Sequence, residues 1–156
     1  MDHFAKKNIL SVILSRLQRF FPVDFNFLPD YYLLPDEIEE FEEHMQANTD
    51  QTFIAKPSNG KAGVGIKLLK KFDDLPKRAF KNEYLLQRYV ENPLLVNNKK
   101  FDVRLFLLIS GIDPVQGHLC DEGLARFCTH NYSKPNETNM KNNYMHLTNF
   151  SINKKS

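Results

Sequence analysis

The stretch KKFDVRLFLLIS, residues 99–110, constrains the fold most, because it places three charges at every second position of a long apolar strand pattern. Side chains alternate between the two faces of a strand, so Lys100, Asp102 and Arg104 share one face. We predict one long strand that belongs to the core. Its other face is predicted to carry the apolar residues Phe101, Val103, Leu105, Leu107 and Ile109.

The charges on this strand need partners, because burying an unpaired charge is costly. Phe106 and Leu108 continue the charged face as apolar side chains, which is unusual for a face that stays in water. One explanation is an internal salt bridge between Asp102 and the bases that flank it. The other is a polyanionic ligand placed against the strand, and the strand pattern leaves both open.

The remaining elements are predicted as helices followed by mostly antiparallel strands. Apolar residues at helical spacing predict a helix over 8–21, and a second helix begins near Pro35–Asp36. This order favours an α+β fold over a doubly wound sheet. Other predicted elements are strands at 51–57, 65–69, 84–90 and 124–128, a strand beginning at His118, an extended segment at 25–35, a short helix or loop at 76–83 and a hairpin turn at 121–123.

Composition indicates a globular chain without a membrane span or a zinc site. Hydrophobic residues make up 42% and charged residues 26%, and no apolar run approaches the length of a transmembrane helix. Arg16 interrupts the N-terminal apolar run and no small-residue cleavage site follows, so a secretory signal is not expected. Cys120 and Cys128 lack the spacing of a zinc site and are predicted to be reduced, partly buried thiols.

Charge is distributed unevenly along the chain. Residues 56–100 contain eleven Lys and Arg against four Asp and Glu, although the net charge is only +2. This basic segment suits a phosphate-bearing ligand or an acidic protein partner, while an ordinary solvated lysine surface is the alternative. No nucleic-acid-binding motif appears, so a nucleic acid partner is not expected.

The segment KPSNGKAGVGI, residues 56–66, places three glycines and two lysines between two predicted strands. Glycines allow backbone N–H groups to turn toward an anion, and lysine supplies a mobile positive charge. The spacing matches neither a Walker loop nor a dinucleotide-binding fingerprint. A strand–loop–strand arrangement suggests a flap over phosphates, with a plain hairpin loop as the alternative.

Two later segments, GLARF at 123–127 and MHLTNFS at 145–151, carry the remaining candidate polar groups. Arg126 lies on a strand that is expected to neighbour the long one, and a surface arginine is the alternative. His146, Thr148 and Asn149 offer a ring nitrogen, a hydroxyl and an amide within four residues. This clustering leans toward a site, although structural hydrogen bonding would also explain it.

Taken in order, these pieces resemble the tubulin–tyrosine-ligase-like family, a group of ATP-grasp ligases that form peptide bonds. KFD-x-R and HLTN in the correct order are the most specific motifs, and the stretch from LARF to HLTNFSINK is most similar to the polyglutamylase branch. The matching motifs are HF…KK..L…L (3–14), F.FLP..Y.LP (25–35), IAKP…GVGI (54–66), LLQRYVENPLLV…KKFDVRLFLLIS (85–110), EGLARF (122–127) and YSKPN…MHLTNFSINKKS (132–156).

The resemblance implies an ATP-grasp-like α+β fold, mostly antiparallel sheet with flanking helices, whose C-terminal part is missing from these residues. It implies an N-terminal helical and linker region over 1–50 and a partial ATP-grasp domain over 51–156. The magnesium ligands of the family, an Asp and a Glu…Asn pair, lie well beyond the HLTN motif. No metal ligand is therefore assigned in this chain.

The resemblance also implies roles for single residues. Lys56 is expected to meet the ATP phosphates and Arg104 to lie near the transferred phosphate, both as catalytic residues. Arg126 is expected to hold the carboxylate of the incoming amino acid, with Phe150 and Ser151 at the same substrate site. The implied nucleotide-binding positions are Lys56, Gly63, Gly65, Gln87, Arg88, Tyr89, Val90, Lys100, Phe101, Asp102, Thr148 and Asn149.

Some positions depart from the family pattern. Ala62 and Val64 stand where the family often has Gln and Arg, which removes a cation from the phosphate side. Phe150 stands where glutamylases usually have Tyr, which removes a hydroxyl from the amino-acid site. Lys7 matches an N-terminal lysine on the phosphate side.

The implied reaction is ATP-dependent isopeptide formation with ATP and Mg²⁺. A glutamate carboxylate of a tubulin tail attacks the γ-phosphate, and the amine of free glutamate then displaces phosphate from the acyl phosphate. The implied partners are tubulin C-terminal tails or microtubules and free glutamate, without nucleic acid or membrane, in the cytoplasm at microtubules, a cilium or a basal body. The 156 residues alone are expected to be inactive; the alternatives are a non-catalytic nucleotide- or tubulin-binding remnant, or a tubulin glycylase or tyrosine ligase.

Overall fold

The computed structural model describes residues 7–156, so residues 3–6 of the first motif lie outside the described residues. The described chain forms two compact units. The first runs up to Glu91 and includes Pro135–Lys141, and the second comprises Asn92–Lys134 and Asn142–Ser156. The division into regions 1–50 and 51–156 stays a prediction.

An antiparallel sheet of four strands forms the centre of the first unit. Its strands stand in the order β1, β4, β2 and β3, and every neighbouring pair is antiparallel. The β-branched and aromatic residues at 51–57 and 84–90 predicted two of these strands correctly. The strands are β1 (Tyr31–Leu34), β2 (Phe53–Pro57), β3 (Lys67–Leu69) and β4 (Tyr84–Arg88).

Two helices of the first unit confirm the helical periodicity of the sequence. The helix α1 spans Lys7–Phe20 and α2 spans Ile38–Ala47, with short 3-10 turns at Phe72–Asp74 and Lys77–Phe80. The apolar stripe of α2 packs into the core, where the Phe41 ring meets the Phe53 ring edge-on at 5.2 Å. The core contains Leu34, Phe41, Met45, Phe53, Ala55, Leu69, Leu75, Ala79, Tyr84 and Leu86.

The two faces of β2 have different surroundings. Phe53 and Ala55 point into the core, so alternation places Ile54 and Lys56 on the opposite face. Tyr31 lies on this second face of the sheet, because β1 pairs Tyr31 with Gln87 and β2 pairs Ile54 with Gln87. Its hydroxyl donates to the Ser11 carbonyl oxygen of α1 at 3.2 Å. The helix α1 therefore contacts the face that carries Lys56.

The second unit is also mainly antiparallel, which confirms the predicted α+β class. The strands β5 (Leu95–Val96), β6 (Lys99–Arg104) and β9 (Leu124–Phe127) form one sheet. The strands β7 (Leu107–Ile112) and β8 (Val115–Leu119) form a separate hairpin. Two single-turn helices follow, α3 (Asn143–His146) and α4 (Phe150–Asn153).

The prediction of one long strand over 99–110 is wrong, because the strand breaks at Leu105 and Phe106. On the N-terminal side of this break, β6 pairs with β9 as far as Arg104. On the C-terminal side, β7 pairs only with β8. The hairpin turn predicted at 121–123 is also wrong. That segment connects β8 to β9, which pair with different strands, and β8 begins at Val115 rather than at His118.

The prediction that this stretch belongs to the core is wrong as well. Val103 is 58% exposed and Leu107 is 63% exposed. Alternation shows which side chains share a face, but it does not show whether another layer covers that face. No described residue supplies such a layer. The exposed apolar side chains of β6, β7 and β8 and the link between β6 and β7 are Val103, Leu105, Phe106, Leu107, Leu108, Ile109, Ile112, Val115 and Leu119.

None of the helices within residues 7–156 has the length and apolar character that a bilayer crossing requires.

Candidate functional site

Predicted site residues form one cluster in each of the two units. In the first unit, Lys56 of β2 donates from Nζ to Gln87 Oε1 of β4 at 2.6 Å. Burial lowers the pKa of the Lys56 ammonium, and the nearby charge of Lys7 lowers it further. An anion at this ammonium would oppose both effects, because it favours the charged form of lysine.

Lys7 is held against the glycine-rich loop at the first turn of α1. Its Nζ donates to the Gly60 carbonyl oxygen at 2.8 Å and to the Pro57 carbonyl oxygen at 3.3 Å. Among residues 7–156, neither Lys7 nor Lys56 has a carboxylate within salt-bridge distance. These two residues, the lysine pair, therefore concentrate positive charge that no described acid neutralises.

The glycine-rich loop requires glycine at two of the predicted flap positions. Gly63 and Gly65 have φ values of 82° and 75°, in the left-handed region that favours glycine. A Cβ atom on Gly65 would also lie 2.9 Å from Cγ of Pro57. Ala62 adopts φ 56°, so the loop accepts one left-handed residue that is not glycine.

A buried hydroxyl adds to the lysine pair. The Ser58 backbone N–H donates to the Glu83 carbonyl oxygen at 3.0 Å, which continues the pairing of β2 with β4. Alternation along this ladder therefore places Ser58 on the same face as Lys56. Ser58 Oγ is buried and has no hydrogen-bond partner in the described part of the chain. Ammonium groups and hydroxyls bind phosphate oxygens, so these residues fit phosphate groups such as those of a nucleoside triphosphate.

In the second unit, Asp102 accepts hydrogen bonds from two residues that the sequence placed in separate motifs. The register of β6 and β9 pairs Asp102 directly with Arg126. Arg126 donates from Nε to Asp102 Oδ1 at 2.7 Å and from Nη2 to Oδ2, and Thr148 Oγ1 donates to Oδ2 at 2.9 Å. We call Asp102, Arg126 and Thr148 the Asp102 cluster.

The charges in the Asp102 cluster stabilise one another. Burial raises the pKa of the Asp102 carboxyl, but the hydrogen bonds from Arg126 and Thr148 and the charges of Arg126 and Arg104 outweigh it, so this pKa is lowered. The hydrogen bond to Asp102 in turn raises the pKa of Arg126. Asp102 thus forms an internal salt bridge, but its partner is Arg126 and not one of the flanking bases on its own strand.

The flanking bases have other positions. Lys100 donates from Nζ to the His146 carbonyl oxygen at 3.1 Å, which ties β6 to α3. His146 is itself buried, and its ring meets the Tyr132 ring edge-on at 5.8 Å. Arg104 is exposed. Of the three charged residues that share one face of the opening stretch, Lys100 and Asp102 therefore make contacts within the second unit.

The predicted hinge residues after Gln87 differ in burial. Arg88 forms a salt bridge with Asp30 at 3.4 Å, and Tyr89 is buried, with its backbone N–H donating to the Thr52 carbonyl oxygen at 2.8 Å. Val90 is exposed. Contacts of these residues with an adenine ring stay a prediction.

The two phenylalanines of the predicted site differ in their contacts. The ring of Phe101 stacks on Phe127 across β6 and β9, with the ring centres 5.5 Å apart. Phe150 is 72% exposed, and Lys154 Nζ lies 5.8 Å from its ring centre. Ser151 is half-buried on α4. The substrate roles of Phe150 and Ser151 stay predictions.

The described residues do not provide a magnesium site. No group of three or more His, Cys, Asp or Glu side chains within residues 7–156 could hold a metal ion. The Asp102 carboxylate is already in a salt bridge with Arg126.

Both cysteines are free thiols, but the prediction that both are partly buried is wrong for Cys120, which is exposed, while Cys128 is buried. Burial raises the pKa of the Cys128 thiol to about 11, an effect that outweighs the opposing charge of Lys100. A thiol with a raised pKa is a poor nucleophile at neutral pH.

Sequence reasoning missed Asn153, which is buried on α4. Its side-chain amide accepts from the Thr129 N–H and hydroxyl and donates to the carbonyl oxygens of Leu147 and Asn149. The position of an asparagine eight residues after the start of MHLTNFS gave no signal of this network. Only the folded contacts show it.

Comparisons with known proteins all indicate one family. The sequence profile of the family described as "Tubulin-tyrosine ligase family" matches residues 2–156. The chain is 35% identical to human "Tubulin polyglutamylase TTLL7", over 99% of this chain and 18% of that protein. It is 39% identical to the Caenorhabditis elegans "Tubulin polyglutamylase ttll-11", over 99% of this chain and 22% of that protein.

A third relative is the Tetrahymena thermophila "Probable beta-tubulin polyglutamylase", which is 38% identical over 99% of this chain and 13% of its own length. The chain therefore spans less than a quarter of the length of each of these three relatives.

Proposed function

Because this chain belongs to the tubulin-tyrosine ligase family, we propose that it is part of an ATP-dependent ligase that adds glutamate to tubulin tails. The relatives reported above carry the name of tubulin polyglutamylase, which favours glutamate over glycine or tyrosine as the added residue. The identities of 35% and 39% to these relatives support glutamate addition to tubulin. The family match supports ligase chemistry in general.

The lysine pair is the observation that carries the proposal. Lys7 and Lys56 lie at a loop with two left-handed glycines, and the Ser58 hydroxyl is buried there without a described partner. We assign to these groups the phosphates of ATP. The charge of the phosphates would offset the burial that lowers the pKa of Lys56, and the ammonium groups would stabilise negative charge as it shifts during phosphoryl transfer.

In the proposed reaction, a tail carboxylate attacks the γ-phosphorus and the bond to the β,γ-bridging oxygen breaks, which releases ADP. The α-amine of free glutamate then attacks the carbonyl carbon of the acyl phosphate, phosphate leaves, and the amine loses a proton. Arg104 is proposed to contact the transferred phosphate. Mg²⁺ would neutralise phosphate charge in such a reaction.

Arg126 is proposed to hold the carboxylate of free glutamate. Its guanidinium has five N–H donors, and the contacts with Asp102 use Nε and Nη2, which leaves the Nη1 side for a second carboxylate. Asp102 would orient the guanidinium for this role. The adenine contacts proposed for Gln87, Arg88, Tyr89 and Val90, and the contacts of Lys100, Phe101, Thr148 and Asn149 with ATP, complete the assignment.

The test is incorporation of an amino acid into microtubules by the complete polypeptide that contains these residues. Mass spectrometry of the tubulin tails should show glutamate added only when ATP and glutamate are both present. Addition of glycine or tyrosine from an equimolar mixture would overturn the glutamate assignment. Nucleotide binding without any addition would instead identify a non-catalytic member of the family, so microtubule binding is measured in the same samples.

A further inference from the structure

Asn153 lies within the second unit in a position to hold the turn that carries Thr148. The residue is 9% exposed and ends α4. Its Oδ1 accepts from the Thr129 backbone N–H at 2.9 Å and from the Thr129 hydroxyl at 3.1 Å. Its Nδ2 donates to the Leu147 carbonyl oxygen at 2.7 Å and to the Asn149 carbonyl oxygen at 3.1 Å. A primary amide has two donors and a two-lone-pair acceptor, so this side chain is fully used.

The two ends of this amide reach different elements. Thr129 follows Cys128, whose backbone N–H donates to the Lys100 carbonyl oxygen at 2.8 Å, so Thr129 continues from the paired strands β6 and β9. Leu147 and Asn149 are the immediate neighbours of Thr148. The Asn153 amide therefore connects the strand pair to the backbone on both sides of Thr148.

Thr148 is the residue whose position this connection controls. Its hydroxyl donates to Asp102 Oδ2 at 2.9 Å, and Asp102 also binds Arg126. The rotation of a threonine side chain is restricted, so a shift of the backbone at 147–149 moves the hydroxyl away from Asp102. A neighbouring tether, from Lys100 to the His146 carbonyl oxygen, holds the turn one residue before Leu147.

We propose that Asn153 is a positioning residue: its amide N–H groups, bonded to the carbonyl oxygens of Leu147 and Asn149, set the Thr148 hydroxyl on Asp102 for nucleotide binding. The inference rests on the proposed function for the role of Thr148 in binding ATP. The geometry of the tether stands without it. Asn153 is not assigned any contact with a reacting atom, and it acts only through Thr148.

Substitutions can test the N–H donors of the Asn153 amide separately from its oxygen acceptor. Asn153→Asp keeps an oxygen acceptor for Thr129 but replaces the two N–H donors with an oxygen that repels the carbonyl oxygens of Leu147 and Asn149. Asn153→Ala removes all four hydrogen bonds. Asn136→Ala is the matched control, because Asn136 Oδ1 also accepts from two backbone N–H groups and a hydroxyl, within the exposed 136–139 turn of the first unit.

The experiment measures steady-state kinetics of the complete polypeptide with ATP as the varied substrate. Asn153→Asp and Asn153→Ala should each raise KM for ATP about tenfold, the effect of losing one orienting hydrogen bond, with a much smaller change in kcat. Asn136→Ala should keep the parental KM. Asn153→Asp keeps the bonds from Thr129 and loses only those to the carbonyl oxygens of Leu147 and Asn149. A parental KM for ATP in this variant would therefore show that the carbonyl bonds are not needed, and would overturn the proposal.

A double-variant comparison shows whether Asn153 acts through Thr148. Thr148→Ala should raise KM for ATP by a similar factor, and adding Asn153→Asp to it should cause no further rise. Factors that multiply in the double variant would mean that the two residues act independently, and would overturn the proposal.

Hydrogen–deuterium exchange separates failure of this inference from failure of the proposed function. The Leu147 N–H donates to the Asn143 carbonyl oxygen at 3.0 Å, and the Thr129 N–H donates to Asn153. Asn153→Asp should speed exchange at Leu147 and leave Thr129 protected, whereas Asn153→Ala should speed both. An enzyme without ATP turnover would contradict the proposed function alone, while unchanged exchange at Leu147 in Asn153→Asp would overturn the positioning role.

Discussion

The surroundings of the Lys56 ammonium disfavour its positive charge. Burial and the ammonium of Lys7 both lower its pKa, and the described contact of its Nζ is with the neutral amide of Gln87. A lysine in these surroundings gains most from a bound anion, because the anion restores the charged form that burial disfavours. Lys56 therefore supports a phosphate site in the first unit more strongly than the neighbouring glycines do.

Asp102 makes a pH-dependent contribution to stability that follows from its lowered pKa. A carboxyl with a lower pKa in the folded state stabilises the fold above its unfolded pKa of about 3.9, and the contribution is lost as pH falls through the folded value. Asp102→Asn should therefore lower the free energy of unfolding at pH 7, and the difference from the parental chain should shrink in acid.

Urea unfolding of the 156-residue chain at pH 7 and at about pH 3 measures this difference. Asp121→Asn is the control, because Asp121 is exposed and has no described salt bridge. A difference for Asp102→Asn that is equal at both pH values would show that the carboxylate charge does not contribute.

At the scale of elements, the loop between β2 and β3 is shaped by backbone that only glycine adopts easily. Gly65 combines a φ of 75° with a Pro57 ring atom 2.9 Å from the position of a Cβ. This close approach fixes the path of the loop beside the lysine pair. The sequence indicated a glycine-dependent loop through its spacing, although it could not show which glycine meets which neighbour.

Gly65→Ala should destabilise the chain by about 1–2 kcal/mol, because it forces a side chain into the left-handed region, and the contact with Pro57 adds to this cost. Gly117→Ala is the matched control, since its added Cβ would meet only Leu107 Cδ1 at an ordinary 3.4 Å. Denaturant unfolding of both variants checks the prediction. Equal stability of the two variants would contradict the proposed strain at Gly65.

The break of the 99–110 stretch is the clearest limit of sequence reasoning at this scale. Alternation correctly put Lys100, Asp102 and Arg104 on one strand, β6, but it also predicted that the strand continues through Leu105 and Phe106. Pairing decides the outcome, because β6 binds β9 and β7 binds β8. Pairing partners depend on the whole fold, and a local pattern does not contain that information.

At the scale of the whole molecule, the sequence predicted the fold class and the two helices, because periodicity reports burial on one side of an element. It also predicted which motifs carry the polar groups. It did not predict that Asp102 pairs with Arg126 or that Asn153 binds Thr129, since both contacts join residues 24 positions apart. The roles of the predicted site residues in catalysis stay proposals.

The exposed apolar side chains of β7 and β8 have a consequence for the whole molecule. Leu107 and Leu119 face each other across the hairpin, and both are more than 60% exposed. A contiguous apolar surface of this kind promotes association in water. The 156-residue chain should therefore self-associate in a concentration-dependent manner during sedimentation.

The double variant Leu107→Lys and Leu119→Glu should reduce this self-association. Val23→Lys is the control, because Val23 is an exposed apolar residue of the first unit. A parental chain that stays monomeric at all concentrations, or a double variant that associates as strongly as the parental chain, would show that this surface does not drive association.

Binding of the ATP phosphates by the lysine pair is the step on which the proposed function depends most. Its most direct test is calorimetric titration of ATP into the complete polypeptide, comparing Lys56→Ala with Lys81→Ala, which removes an exposed lysine outside the loop. Lys56→Ala should lose affinity for ATP by at least about tenfold, the typical effect of removing a charged hydrogen-bond donor, and Lys81→Ala should keep the parental affinity. Parental affinity in Lys56→Ala, or an equal loss in both variants, would contradict this prediction.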